Sequence, residues 1–293
     1  PSHFLDVAEM TMAVSIGYDW LYHSLSETTR AMLREAIIQK GLNPSLDSKY
    51  NSWLKASHNW NQVCNAGMTF GALAVWETNS QLAARIIERS VSSITLPMAD
   101  YLPDGAYPEG YGYWDYGTSF NVMFISAYEK VFNTKFDGSA VDGILKTPYY
   151  IVNMTGPTGL CFNYSDNGSG AGVHPAMFWL ASRIGDNKVL YEEKKFLGKM
   201  KNAGNRLLPA MLIWNAGINT SSITAPEKLI WVGHGKNPVA MMRTSWSDQN
   251  ALFIGLKAGS PRVNHGHMDV GSFVMESEGV RWAMDFGPQD YNS

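Results

Sequence analysis

The spacing of apolar residues changes near residue 222, and this change most constrains the fold. Before it, apolar residues recur every three or four positions, which is the period of an amphipathic helix. A Ser/Thr-rich connector covers residues 219–225, and the apolar segments beyond it are short and bounded by Gly or Pro, as strands are. The predicted helices are 7–21, 32–38, 63–76, 82–94, 118–131, 174–184 and 188–214. The predicted strands are 229–232, 239–243, 251–256, 271–276 and 280–285, with a hairpin turn at Glu278 and Gly279.

Helices followed by an antiparallel sheet form an α+β arrangement, and not the alternating order of a parallel α/β fold. We therefore predict a multidomain α+β chain, with a helical domain over residues 1–222 and a sheet domain over residues 223–293. No Gly-rich segment has the strand and helix context of a dinucleotide or phosphate site. Because the second domain is short and stops soon after a strand, we expect it to continue beyond Ser293.

Composition excludes several classes of protein. Charged residues make up 17% of the chain and hydrophobic residues 45%, which excludes intrinsic disorder. The 23 Lys and Arg residues and 26 Asp and Glu residues give a net charge of −3, so nucleic acid is not an expected partner. No apolar run approaches the roughly 18 residues of a membrane span. The two cysteines, Cys64 and Cys161, allow at most one disulfide, and the sequence leaves their pairing open.

Residues 104–117 form an aromatic segment that contains four tyrosines, one tryptophan and three carboxylates. Aromatic faces stack on sugar rings and phenols donate hydrogen bonds, so the segment favours a sugar-binding surface. The alternative is that these rings only pack together and stabilise a junction between helices. Tyr113 and Tyr116 are three residues apart, so they would share one face of a helix that included them, where either could donate a proton.

Residues 57–62 place polar side chains at the start of a predicted helix, where a buried helix would hide apolar ones. His58, Asn59, Asn61 and Gln62 could bind a carboxylate through hydrogen bonds. The alternative is an N-cap followed by a solvated first turn.

Residues 264–273 carry His265, His267 and Asp269 at alternate positions, which would share one face of an extended strand. Together with Asp285 on the neighbouring hairpin strand, they would supply the nitrogen and oxygen ligands that zinc accepts. The alternative is that both histidines bond to carboxylates within a sheet.

Taken together, these segments resemble the heparinase II/III-like polysaccharide lyases. The resemblance covers most of the chain and implies an incomplete (α/α) toroid followed by an antiparallel β-sandwich. The motifs that carry it are Asn59-Trp60-Asn61-Gln62-Val63, Pro103-Asp104-Gly105, Glu109-Gly110, Tyr113-Trp114-Asp115-Tyr116-Gly117, Arg243-Thr244-Ser245-Trp246, the run from His265 to Phe273, and the run from Trp282 to Gly287.

The resemblance implies β-elimination on an anionic polysaccharide. A uronic acid residue loses its C5 proton, the bond to the C4 oxygen breaks, and an unsaturated sugar remains. By the same resemblance, Asn59 neutralises the uronate carboxylate, with His58 and Gln62 in support. Such neutralisation is needed because the C5 proton is otherwise too weakly acidic to remove.

The resemblance also assigns the acid and base. Tyr116 is the preferred catalytic tyrosine and Tyr113 the alternative, since the spacing from Asn59 does not separate them. His265 shares the duty of base or neutraliser. His267 and Asp285 match ligands of a structural zinc, whose third ligand has no counterpart before Ser293. The predicted substrate-binding residues are Gln62, Glu109, Trp114, Arg243 and His234.

Two other functions stay open at this point. One is a glycoside hydrolase on a helical toroid, which would use Asp104 or Glu109 with Asp115 as acid and base. The other is a glycan-binding relative that has lost turnover. For the lyase, the resemblance implies a glycosaminoglycan, alginate or other uronide as substrate and a secreted or periplasmic location.

Overall fold

The computed structural model describes residues 3–199 and 205–290. By contacts the chain forms two compact units, one of Pro1–Ala99 with Tyr116–Asp137 and one of Asp100–Asp115 with Gly138–Ser293. We call them unit 1 and unit 2. The predicted domains, 1–222 and 223–293, divide the chain by type of secondary structure and stay a prediction.

Unit 1 is helical. Helix α1 packs on α4, and Gly67 of α4 lies so close to α1 that a Cβ there would meet the carbonyl oxygen of Ala8 at 2.3 Å. Ser26 caps α2, because its hydroxyl accepts from the amide of Thr29 at 3.1 Å. The helices are α1 (Phe4–Trp20), α2 (Glu27–Ala36), which continues through a π-helical turn (Ile37–Leu42), α3 (Asn43–Leu46), α4 (Asn59–Ala74), α5 (Ser80–Ser93) and α6 (Thr95–Met98).

Helix α7 (Gly110–Phe132) begins in unit 2 and ends in unit 1. The sequence predicts this helix only from residue 118. Its earlier start places Tyr113, Trp114 and Tyr116 on helix rather than on a loop, since the chain already turns helical at Gly110.

Unit 2 combines the remaining helices with a sheet. Helix α8 (Ser139–Asn153), which contains Pro148, lies where no helix is predicted from the sequence. The prediction of a single helix over 188–214 is wrong, because that helix is broken. Its two described parts are α10 and α11, residues 200–204 lie outside the described ranges, and Pro209 at the start of α11 disfavours a continuous helix. The helices are α8 (Ser139–Asn153), α9 (Ala176–Ile184), α10 (Tyr191–Lys199) and α11 (Leu208–Trp214).

The strands of unit 2 form one antiparallel sheet in the order β1-β2-β3-β4-β5 within the described residues. All five predicted strands are present, and the predicted turn is confirmed, because Glu278 and Gly279 both have positive φ (54° and 74°), as a tight hairpin requires. The inner face buries Met241, Phe253 and Val274. The strands are β1 (Ile230–Gly233), β2 (Val239–Arg243), β3 (Phe253–Lys257), β4 (Phe273–Ser277) and β5 (Val280–Ala283).

The α+β class is therefore confirmed at the level of many helices and one five-stranded antiparallel sheet. The toroid and the sandwich stay predictions. No helix within the described ranges is long and apolar enough to cross a bilayer. Cys64 and Cys161 are buried free thiols, and burial raises the pKa of Cys161 to about 12.

Candidate active site

The start of α7 is fixed by close backbone packing. Gly110 has a φ of 84°, and a Cβ at this position would meet the carbonyl oxygen of Tyr164 at 2.6 Å. Beneath the first turn lies His174, whose ring contacts the rings of Tyr111 and Trp114 with centroid distances of 4.8 and 5.4 Å. The turn that carries Tyr113 is thus held from two sides.

Tyr113 lies flat against His265. Their ring centroids are 3.7 Å apart and the planes differ by 14°. His265 has a φ of 56°, in the left-handed region that non-glycine residues seldom adopt. Such a strained backbone often occurs at functional sites, where the surrounding structure holds it.

Asp166 holds both predicted site histidines. One carboxylate oxygen lies 2.6 Å from Nδ1 of His265, and the other lies 2.6 Å from Nε2 of His267. The exposed fractions of the Asp166 and His265 side chains are 12% and 19%, so both side chains are largely buried but still reach solvent. A carboxylate on Nδ1 favours the neutral tautomer of His265 that carries its lone pair on Nε2.

The prediction that Asp269 points together with the two histidines is wrong. Residues 265–272 form turns rather than a strand, because Gly271 adopts a φ of 92° and β4 begins only at Phe273. Asp269 forms an ion pair with the fully buried ammonium of Lys257 instead. Asp166 occupies the place that the sequence assigned to Asp269.

The two predicted zinc ligands, His267 and Asp285, have other partners in the structure. His267 Nε2 is bonded to Asp166, while the carboxylate of Asp285 accepts from the amide of Gly287 at 2.8 Å and the hydroxyl of Ser272 at 3.3 Å. Residues 3–199 and 205–290 bring together no group of three ligands able to hold a metal. The predicted zinc ion therefore stays a prediction.

Glu109 lies next to this cluster and is nearly inaccessible, with 2% of its surface exposed. Its carboxylate accepts from the hydroxyl of Tyr107 at 2.6 Å and from the amide of Asn264 at 2.8 Å. Burial, together with the charge of Glu109, raises the pKa of Tyr107 well above its ordinary value. Nε2 of His265 lies 3.9 Å from Glu109, which is beyond hydrogen-bond distance.

The polar segment of unit 1 is partly buried, with Asn59, Asn61 and Gln62 inside and Ser57 exposed. His58 is the N-cap of α4 and accepts from the amide of Trp60 at 3.4 Å, as the capping alternative predicts. Asn59 and Gln62, however, are exposed by only 1% and 0%. Both amides are thus withdrawn from solvent, and the solvated first turn of the alternative is not found for them.

Tyr116, the preferred catalytic tyrosine, donates its hydroxyl proton to Glu9 on α1 at 2.6 Å. Both residues belong to unit 1. Sequence reasoning missed Glu9, because nothing in its helical context distinguishes it from a solvated carboxylate.

The remaining predicted substrate-binding residues make contacts of different kinds. Trp114 is fully buried and donates to Thr147 at 2.7 Å. Arg243 is buried, donates to the carbonyls of Asn153 and Thr155 at 3.0 Å, and has its pKa lowered to about 10 by burial. His234 is largely exposed and pairs with Asp104 at 2.8 Å. Only His234 presents an accessible side chain for a ligand.

The comparisons with known proteins bear on the fold. No protein-family model and no curated protein matches the chain. Among solved structures, it is similar to a heparinase III with methylated lysines, with 15% identity and a TM-score of 0.63 over 99% of this chain. A mutant heparan sulfate lyase HepC from Pedobacter heparinus has 14% sequence identity and a TM-score of 0.62 over 99% of this chain. A further heparinase III has 12% identity and a TM-score of 0.67 over 97% of this chain.

The chain spans 41–42% of the length of those proteins. The resemblance stated from the sequence motifs is thus confirmed as a likeness of fold to heparinase III and heparan sulfate lyase structures over nearly the whole chain. At such low identity, the likeness establishes architecture and leaves the activity to be argued from the residues.

Proposed function

We propose that this protein is a polysaccharide lyase that cleaves a uronic acid-containing glycan by β-elimination. The observation that carries the proposal is the stacking of Tyr113 on His265, together with the hydrogen bond between Asp166 and Nδ1 of the same imidazole. The fold shared with heparinase III and heparan sulfate lyase structures supports it.

The reaction needs one base and one acid. The base removes the C5 proton of the uronate, the electron pair of that C–H bond forms the C4–C5 double bond, and the C4–O bond breaks. The leaving oxygen then takes a proton from the acid. Water is not consumed, and no bond to the protein forms.

His265 and Tyr113 supply these two groups in our proposal. The Asp166 carboxylate orients the imidazole and stabilises the charge that it gains as it accepts the C5 proton on Nε2. Tyr113 then protonates the leaving oxygen, as a phenol can do at neutral pH. The close stacking of the two rings favours this pairing.

Tyr113 takes precedence over Tyr116 in this proposal. Tyr113 contacts a histidine, whereas Tyr116 donates its proton to the Glu9 carboxylate, which makes proton transfer to a sugar oxygen harder. The role of Asn59, with His58 and Gln62, in neutralising the uronate carboxylate stays a prediction, since Asn59 and Gln62 are exposed by only 1% and 0%. No step uses a metal.

The names of the fold neighbours, heparinase III and heparan sulfate lyase HepC, support the choice of substrate class. We propose a heparan-type glycosaminoglycan, acted on in the periplasm or outside the cell. The glycosidase alternative is weaker, because Glu109 is sealed by Tyr107 and Asn264, and Asp104 is paired with His234.

Absorbance of the conjugated double bond tests the proposal. The purified protein is incubated with heparan sulfate, heparin, chondroitin sulfate, hyaluronan and alginate, and ultraviolet absorbance and reducing ends are followed together. Elimination raises both signals on heparan sulfate, whereas hydrolysis raises reducing ends alone. Reducing ends without absorbance, or neither signal on any of the five glycans, would refute the lyase.

A further inference from the structure

Unit 2 contains a cavity whose lining shares no residue with the Tyr113 and His265 cluster. Its volume is about 430 Å³, within the usual range of small-molecule sites. The walls come from α8, the turn at residues 187–190, the connector before β1, and β1 itself. We call it the α8 cavity.

The walls of the α8 cavity are braced by polar contacts. Tyr149 donates to the carboxylate of Asp186 at 3.0 Å, and Lys188 pairs with Glu227 at 2.6 Å. A further wall residue, Lys146, donates to the carbonyl of Pro103 at 2.8 Å. These contacts link the wall segments to one another and to the chain before α7.

Two buried acceptors on residues that line the α8 cavity have no hydrogen-bond donor. Asn153 is 6% exposed, and its Nδ2 donates to the Tyr149 carbonyl at 2.8 Å while its Oδ1 has no partner. Asp104 accepts from the amide and ring of His234 with Oδ2, and its Oδ1 is likewise without a donor. Buried acceptors are seldom left unmet, so a ligand or water that donates hydrogen bonds is indicated.

The aromatic residues of the cavity narrow the class of ligand. Tyr149 is 38% exposed and Trp231 is half-buried against Tyr150, with a centroid distance of 5.9 Å. An aromatic ring next to buried hydrogen-bond acceptors suits a sugar. The apolar face of the sugar would stack on the aromatic ring, and the sugar hydroxyls would donate hydrogen bonds to the acceptors.

The charges of the cavity argue for a neutral ligand. Three lysines line it, Lys146, Lys188 and Lys228, and three carboxylates offset them, Asp104, Asp186 and Glu227. A sulfated or carboxylated sugar therefore meets no net positive field. We propose that the α8 cavity binds a neutral saccharide unit, independently of the lyase site.

Ligand-observed NMR and calorimetry test this inference. The probes are glucose, N-acetylglucosamine and lactose, with glucuronate and glucosamine 6-sulfate as charged comparisons. We expect a neutral probe to bind with millimolar affinity and Tyr149→Ala to weaken it by about tenfold, which is the loss of one stacking contact. Trp76→Ala removes an aromatic side chain of equal exposure, 38%, in unit 1 and should leave the affinity unchanged.

A second variant guards against misfolding. Tyr149→Phe keeps the ring and loses only the bond to Asp186, so it should bind nearly as wild type if stacking dominates. Elimination activity, where present, should be unaffected by either change. Absence of binding by every neutral probe, or equal affinity in wild type and folded Tyr149→Ala, would mean that only water meets the buried acceptors.

Discussion

The carboxylate of Asp166 lies 2.6 Å from Nδ1 of His265, although 99 positions of sequence separate the two residues. The same carboxylate holds His267, so it fixes both imidazoles of the loop. If His265 is the base, this contact sets its tautomer and stabilises its protonated form.

Asp166→Asn tests that role. The amide has nearly the same shape but cannot stabilise a positive imidazole, so kcat for elimination should fall by about 100-fold or more with a smaller change in KM. Asp137→Asn, an exposed carboxylate of unit 1, is the matched control. If Asp166→Asn keeps a rate within about twofold of wild type, Asp166 does not orient the base.

A buried ion pair beneath α7 predicts a pH dependence of stability. His174 lies 2.9 Å from Glu193, and both side chains are 4% exposed. Burial disfavours the imidazolium, but the charges of Glu193 and Asp115 outweigh it and raise the pKa of His174 above 6.5. This stabilisation is complete below the unfolded value and is lost as pH rises through the raised one.

Urea titrations between pH 5.5 and about 9 measure the effect. The free energy of unfolding of wild type should fall relative to that of His174→Gln as pH rises across this window. Parallel curves for the two proteins would show that His174 does not titrate as the pair requires.

A second buried pair ties the β4–β5 hairpin to the segment that precedes Asp166. Arg281 donates to Glu276 at 2.8 Å and to the carbonyls of Cys161 and Leu160 at 2.8 and 3.0 Å. Arg281→Ala leaves the Glu276 carboxylate buried and unpaired, so it should cost about 3–5 kcal/mol of unfolding free energy. The exposed Arg85→Ala should stay within about 0.5 kcal/mol, and similar losses in both variants would contradict the pairing.

Two glycines of unit 1 should respond oppositely to alanine. A Cβ at Gly67 would meet the Ala8 carbonyl oxygen at 2.3 Å, so Gly67→Ala should destabilise the protein by about 1–3 kcal/mol. Gly17 lies within α1 with nothing within 4 Å, so Gly17→Ala should stabilise it by about 0.5–1 kcal/mol. Changes of the same sign, measured by urea titration, would contradict the packing of α1 on α4.

The sheet could be predicted from sequence because its signals are local. The strand segments are short, mainly apolar and bounded by Gly or Pro, and Glu278 and Gly279 have the residue types of a tight hairpin turn. The start of α7 could not be predicted from sequence, because glycines such as Gly110 and Gly112 are typical of loops. In the structure, a Cβ at Gly112 would meet Asn167 Oδ1 at 2.3 Å, so packing explains the glycine.

The candidate site was only partly predictable. His265, Tyr113 and Glu109 could be proposed from sequence because their two segments, 264–273 and 104–117, are rich in chemically useful side chains. Asp166 and Glu9 could not be proposed from sequence, because only the tertiary fold brings them to their partners, His265 and Tyr116. The prediction for the Asp269 side chain is wrong, because the alternating pattern predicts a strand at a place where the backbone forms turns.

The most direct test of the account compares the two tyrosines of α7. Initial rates of double-bond formation on heparan sulfate are measured for wild type, Tyr113→Phe and Tyr116→Phe, each checked for an unchanged melting temperature. We predict a loss of about 100-fold or more for Tyr113→Phe, because the proton donor is gone, and a far smaller loss for Tyr116→Phe. Full activity in Tyr113→Phe would contradict the account.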